Sequence, residues 1–295
     1  MTETDRPLLG IGLRIASGVL MAGMFICVKV VSTDVPLGEI VFFRSFFALI
    51  PLVIFLWLRR EFPSGLATKR PGAHLVRSAF GALALFTSFA AISRLNVAEA
   101  ILIAQLAPVL TALAAVALLA ERLTIWRVGG LLLGLTGVVV LVWPELGGST
   151  KDTARLSGFA FGLLSAVLTA LALIMVRSLN KTESPGAIAL YFVVASMAGA
   201  LITLPWGWVL PNGSTLLFLI AAGLFGGMGH IAMTLAFRYA EASRLAPFEY
   251  VALIWPLLAD LFIFRLPLSA AFLLATPIIL AGALVAAAER RPKPA

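Results

Sequence analysis

Apolar residues run along this chain in blocks, separated by short clusters of charge, glycine and proline. Residues 78–93, 100–120, 128–144, 156–176 and 266–288 contain no Asp, Glu, Lys or Arg. Each is about one bilayer long, given ~20 apolar residues per spanning helix. A longer charge-free stretch, 184–237, is divided by the turn-forming Pro211-Asn212-Gly213-Ser214. Three further apolar blocks carry a few charges, and the pattern predicts ten helices: 12–31, 36–58, 73–92, 97–119, 125–143, 157–177, 185–208, 214–237, 243–264 and 268–288. The connections are short, so no soluble domain is expected between them.

Composition agrees with a lipid solvent. Of the 295 residues, 61% are hydrophobic and 12% charged, and the mean hydropathy is +1.05. A soluble domain is roughly 45–50% apolar and about 25% charged. The balance excludes disordered, collagenous and disulfide-rich secreted classes, and the single cysteine, Cys27, excludes an internal disulfide. The first apolar block runs to about Val31, longer than the core of a leader peptide, and is read as a span.

The net charge of +8 follows from membrane orientation rather than from nucleic-acid binding. With the N-terminus in the cytoplasm, sixteen Lys and Arg residues fall on the inner side and five on the outer, with Arg44 inside a span. That bias places both termini in the cytoplasm.

The two halves resemble each other. At an offset of 149, Pro36, Phe43 and Trp57 match Pro185, Phe192 and Trp206; at 148, Ser17 matches Ser165; at 145, Phe80-Gly81 matches Phe225-Gly226 and Gly137 matches Gly282. An odd number of spans per half forces the second half to enter the membrane from the opposite side. The expected fold is therefore all-α, integral to the membrane, with ten transmembrane helices as two inverted five-helix repeats, 1–147 and 155–295. Inverted repeats favour transport over intramembrane catalysis.

Several segments carry a family resemblance: Arg94-Leu95-Asn96-Val97-Ala98-Glu99-Ala100 through Gln105-Leu106-Ala107-Pro108, the segment Leu118–Arg122, and Arg238-Tyr239-Ala240-Glu241-Ala242-Ser243-Arg244-Leu245-Ala246-Pro247, with the glycine-rich fifth span. In these the chain resembles the drug/metabolite transporter superfamily in its ten-helix EamA-type branch, and is most like the YddG-type exporters of aromatic amino acids. The ninth span departs from the family, ending Phe264-Arg265 where Gly-Glu is usual. The resemblance implies a bacterial inner-membrane carrier with a central cavity, no ATPase module and no cofactor.

Substrate sites in such folds lie near the midplane, where matching spans are interrupted by glycine or proline. Gly81 and Gly227 in the third and eighth spans, and Pro108 and Pro256 in the fourth and ninth, meet that description. A charge at depth costs about 2.5–3.5 kcal/mol on insertion scales and needs a cavity or a partner. Arg44 is the candidate for a substrate carboxylate, or else the partner of a buried acid. Glu249 is the candidate for an ammonium. Gln105 and His230 are candidates for hydrogen bonding, and Tyr250 and Trp255 for an apolar or aromatic side chain. Each could equally serve helix packing or interhelical hydrogen bonding. Lys29 is expected to snorkel, Glu39 and Glu99 to sit at the interface, and Trp57, Trp143, Trp206 and Trp208 to form the interfacial belts.

The expected substrate is a small metabolite, an aromatic or large neutral amino acid moved outward by alternating access. Uptake or exchange of a vitamin, nucleotide-linked compound or drug is the alternative. An intramembrane hydrolase using Ser17, with His74 or His230 as base, is a remote one. The expected partners are substrate and lipid, with no nucleic acid and no metal. A monomer is expected, with Gly130 and Gly134 as a possible dimer face.

Overall fold

The computed structural model describes residues 6–63, 66–119, 124–147, 152–180, 182–240, 245, 248 and 251–287. Among these, every regular element is helical: α1 (Pro7–Val31), α2 (Leu37–Leu58), α3 (Pro71–Arg94), α4 (Val97–Ala104), α5 (Ala107–Leu119), α6 (Ile125–Gly147), α7 (Thr153–Leu179), α8 (Pro185–Leu201), α9 (Gly213–Tyr239), α10 (Ile254–Phe262) and α11 (Ala270–Ala287). Seven segments are long and apolar enough to cross a membrane, and α8 and α11 are shorter apolar helices.

Local chemistry explains the boundaries. Pro7, Pro71 and Pro185 open α1, α3 and α8, where the missing N–H costs nothing. Asp152, Ser184 and Asn212 cap α7, α8 and α9 by accepting backbone N–H bonds of the first turn. The turn read at Pro211–Ser214 is thus the start of α9.

Three spans differ from the sequence reading. The fourth is broken into α4 and α5 by a turn at Gln105-Leu106. Pro108 has no N–H for the carbonyl of Ala104, so the helical ladder lapses there. A second turn, at Ala252-Leu253, precedes α10 and stands three residues before Pro256. The seventh span ends at Leu201, followed by a 3-10 turn over Leu204–Trp206 that closes on Gly207 at φ 86°, a conformation that suits glycine.

The helices pack as two triplets. α1 and α2 pack on α9, while α7 and α8 pack on α3, and α2 meets α8 between the triplets. A separate pair, α6 and α11, is joined by small residues. A Cβ on Gly282 would stand 2.7 Å from the Gly130 oxygen and 2.7 Å from the Gly134 nitrogen. Gly130 and Gly134 therefore serve packing within the chain. Two serines tie the triplets internally: Ser17 donates to the Gly229 carbonyl at 2.8 Å and Ser165 to the Ala84 carbonyl at 2.9 Å. Trp57, Trp143 and Trp206 lie on the outer surface, as belt residues would, whereas Trp208 donates to Thr203 and packs on Phe42.

The end where α3 gives way to α4 is closed by polar contacts. Lys29 Nζ donates to the Leu95 carbonyl at 2.7 Å and the Ile92 carbonyl at 2.9 Å. Asp260, on α10, accepts from Val97 N at 3.1 Å and Ala98 N at 2.7 Å. Arg155 joins Glu99 at 3.0 Å and Glu145 at 2.6 Å, and Glu39 accepts from Val209 N at 2.9 Å. Three expectations are corrected here. Lys29 is held inside the protein rather than snorkelling, because the free carbonyls ending α3 accept its ammonium. Glu39 and Glu99 are buried, because each has backbone N–H or arginine donors inside the protein.

Candidate functional site

Arg44 stands on α2 with 1% of its surface exposed, the bulkiest of the fully buried side chains. Its Nε lies 3.4 Å from Met24 Sδ on α1, and its Nη1 has no hydrogen-bond partner. Among the described residues no carboxylate lies within ion-pair distance of it, so the buried-acid reading of Arg44 finds no support. Space for its head comes from Gly226 on α9, where a Cβ would stand 3.0 Å from Nη2.

The other triplet has a matching arrangement. Arg77 on α3 spreads its guanidinium over the Phe192 ring of α8, 4.4 Å from the centroid, and over the bare Cα of Gly81 one turn along. Its Nε and Nη1 are buried without partners. The glycines matched in sequence, Gly81 and Gly226, are each filled by an arginine head. In the sequence Arg77 abuts the charge-free run 78–93 and reads as one of the sixteen inner-side cations. Its spacing is the available signal: Arg77 and Gly81, four residues apart, are neighbours on one helix face.

His230 lies one turn beyond Gly226, within electrostatic reach of both Arg44 and Arg77. Gly223, Gly226, His230, Thr234 and Phe237 share one face of α9 by their spacing. The two glycines are covered by Phe47, Arg44 and Met24. His230, Thr234 and Phe237 are exposed on that same face. The face is therefore closed along its first half and open along its second. Arg44 lies in the closed half, and His230 is the first exposed side chain beyond it on this face.

The remaining sequence candidates fall elsewhere. Gly227 packs on Ala48 and Pro51 of α2. Gln105 sits half-buried in the turn between α4 and α5, and Pro108 is exposed just beyond it. Pro256 is buried, and Trp255 lines an apolar groove of about 350 Å³ between α1 and α10 with Val19, Ala22 and Leu258. That groove adjoins Gly18 and Ala22, whereas Met24 and Met21 face α9, so α1 separates Trp255 from Arg44. Glu249 and Tyr250 lie outside the described residues. Asp260 was missed by the sequence reading, although a lone acid in an apolar helix announces a need for partners. Two of the three hydrolase residues are otherwise occupied: Ser17 donates to the Gly229 carbonyl, and His74 Nε2 meets Glu183 at 3.4 Å.

Comparison with known proteins agrees with a carrier. Residues 8–143 match the EamA-like transporter family. The chain is 31% identical over 254 residues to the pseudopaline exporter CntI of Pseudomonas aeruginosa, covering 83% of this chain and 84% of that one. It is 26% identical over 261 residues to an S-adenosylmethionine uptake transporter of Rickettsia felis, covering 87% and 85%. A protein of known crystal structure shares the fold, with a TM-score of 0.65 at 24% identity and 95% of both chains covered. With its apolar helices and its length-wide similarity to these carriers, the chain belongs to the EamA-like transporter family.

Proposed function

We propose that this protein is a secondary exporter of small carboxylate-bearing metabolites, with amino acids as the substrate class, working by alternating access. The observation that carries the reading is Arg44: a guanidinium buried among α1, α2 and α9 with no acid partner among the described residues. A permanently charged group left unpaired at depth is costly, and a substrate carboxylate offsets that cost. The carbonyl of Ala104, freed by Pro108, and Glu249 are assigned to the substrate ammonium.

Alternating access draws support from the packing. Exchanging α1 with α7, α2 with α8, and α3 with α9 maps the two triplets onto each other. It also maps the Ser17–Gly229 bond onto Ser165–Ala84, and the turn at 105–106 onto that at 252–253. This is the correspondence two inverted repeats, 1–147 and 155–295, would have, spanning a bacterial inner membrane ten times with both termini inside. Outward transport is favoured by the 31% identity to an exporter.

Proteoliposomes test the reading. Wild type should take up labelled tryptophan, phenylalanine, methionine or leucine with saturation, and Arg44→Gln should not. Wild type moving none of these above empty liposomes would overturn the amino-acid class. Arg44→Gln at full rate would remove the assigned carboxylate partner.

A further inference from the structure

The joint between α3 and α4 is seized at both of its ends. Lys29, in the last turn of α1, donates to the Ile92 and Leu95 carbonyls at the end of α3, at 2.9 and 2.7 Å. Asp260, on α10, accepts from the Val97 and Ala98 N–H groups that open α4, at 3.1 and 2.7 Å. A cation meets the carbonyl end of one helix and an anion the amide end of the next, as helix dipoles favour. The two charges stand on one side of a division and the joint on the other. α1 belongs to the triplet of α1, α2 and α9, and α10 packs on α1. α3 belongs to the triplet of α3, α7 and α8, and α4 packs on α7. Ser17, Ser165, Arg70 and His74, by contrast, bond within their own triplet.

The repeat supplies a comparison. At an offset of 144, Arg94-Leu95 matches Arg238-Tyr239, so Tyr239 stands at the end of α9 where Leu95 stands at the end of α3. The Tyr239 carbonyl accepts from Arg6 N at 3.2 Å, at the start of α1 in its own triplet. The Leu95 carbonyl accepts instead from across the division. Two carbonyls made equivalent by the repeat thus differ in which triplet holds them. Polar ties also suit a contact that must be remade in every cycle. When such an end opens, water takes over the freed carbonyls and amides, so the net cost of parting them is modest. Resting on the alternating-access reading above, we propose that Lys29 and Asp260 are the catches of a gate. Bonded to the α3–α4 joint they hold this end shut, the outer end in the orientation given above, and their bonds part when the end opens to release substrate.

The test reads the opening of this end directly. Spin labels are attached through Thr33→Cys, in the turn after α1, and Ala154→Cys, in the first turn of α7, both exposed positions. The full-length protein also carries Cys27→Ala, and label separation is measured by pulsed electron resonance in nanodiscs without ligand. Short separations should dominate. Lys29→Met, and separately Asp260→Ala, should lower the ratio of short to long separations at least about tenfold, the order for one lost hydrogen-bonded charge. Lys29→Arg, which still reaches the carbonyls, should restore it. Separations unchanged in both Lys29→Met and Asp260→Ala, whatever their melting temperatures, make the two residues structural and overturn the proposal. Should those variants fail to fold, a second measurement needs neither: a short reducible cross-linker between the Thr33→Cys and Ala154→Cys thiols should stop tryptophan uptake into proteoliposomes until it is reduced. Full uptake by the cross-linked protein overturns the gate. If the labels part in Lys29→Met while wild type moves no amino acid, the gate stands and the substrate reading falls. If wild type transports and the labels stay together, the gate falls alone.

Discussion

At the scale of single residues, Arg44 separates stability from function. Its charge is buried without an acid partner among the described residues, so replacing it with an apolar side chain of similar length removes a cost. Arg44→Met is expected to stabilise the protein by roughly 1–4 kcal/mol, by analogy with apolar replacement of buried ionic groups, while abolishing transport. A lower melting temperature would show that Arg44 holds the fold together. Gly226→Ala makes the complementary test: the new Cβ would stand 2.7 Å from Met24 Sδ and 3.0 Å from Arg44 Nη2, displacing the guanidinium. Transport should fall at least about tenfold while the protein still folds, and unchanged uptake would count against Arg44 as the carboxylate partner. Arg44 was legible in the sequence because a lone charge inside an apolar block stands out. Arg77 was not, since at the edge of a block a one-dimensional charge count cannot tell a loop residue from one nearly two turns inside a helix. The partners of Lys29 were equally out of reach, being carbonyls at the end of a helix distant in sequence, as was Arg155, the distant partner of Glu99.

At the scale of elements, the broken fourth span depends on a borrowed cap. Asp260 supplies from α10 the acceptors that the first turn of α4 needs. Asp260→Asn keeps the shape but loses the charge and one acceptor, and should destabilise by about 1–2 kcal/mol, the range for a lost helix cap, read as a drop in melting temperature. No drop would mean that water serves α4 as well. A second element-level contact is pH-dependent. Glu183 stands in the connection between α7 and α8. Partial desolvation raises its carboxyl, but hydrogen bonds from Thr68, His74 and the Lys69 backbone outweigh this and hold it below its ordinary value of 4.5. Because the folded carboxyl is the stronger acid, its contribution is complete above the unfolded value and is lost as pH falls through the lower, folded one. Glu183→Gln should therefore flatten the stability profile below about pH 4.5, and acid-unfolding curves that superimpose with wild type would refute the assignment. Prolines 108 and 256 announced interruptions in the sequence. Their form did not follow, because where a kinked helix breaks depends on what replaces the lost bond.

At the scale of the whole molecule, apolar block lengths anticipated an all-helical membrane protein, since lipid permits few other solutions. The pairing of helices was not legible, because blocks of similar hydropathy do not specify neighbours. Topology remains open to a direct check: a reporter active only outside the cytoplasm, fused at Ala295, should give no signal, and strong external activity would reverse the orientation. The packing carries one more consequence, for dividing the chain. The third helix of each half leaves its own half and packs mainly on the other: α3 on α7 and α8, and α9 on α1 and α2. Neither half can then satisfy its own third helix, and either one made alone should be degraded. Two separate polypeptides cut between residues 147 and 153 should instead interlock when co-expressed, each completing the other.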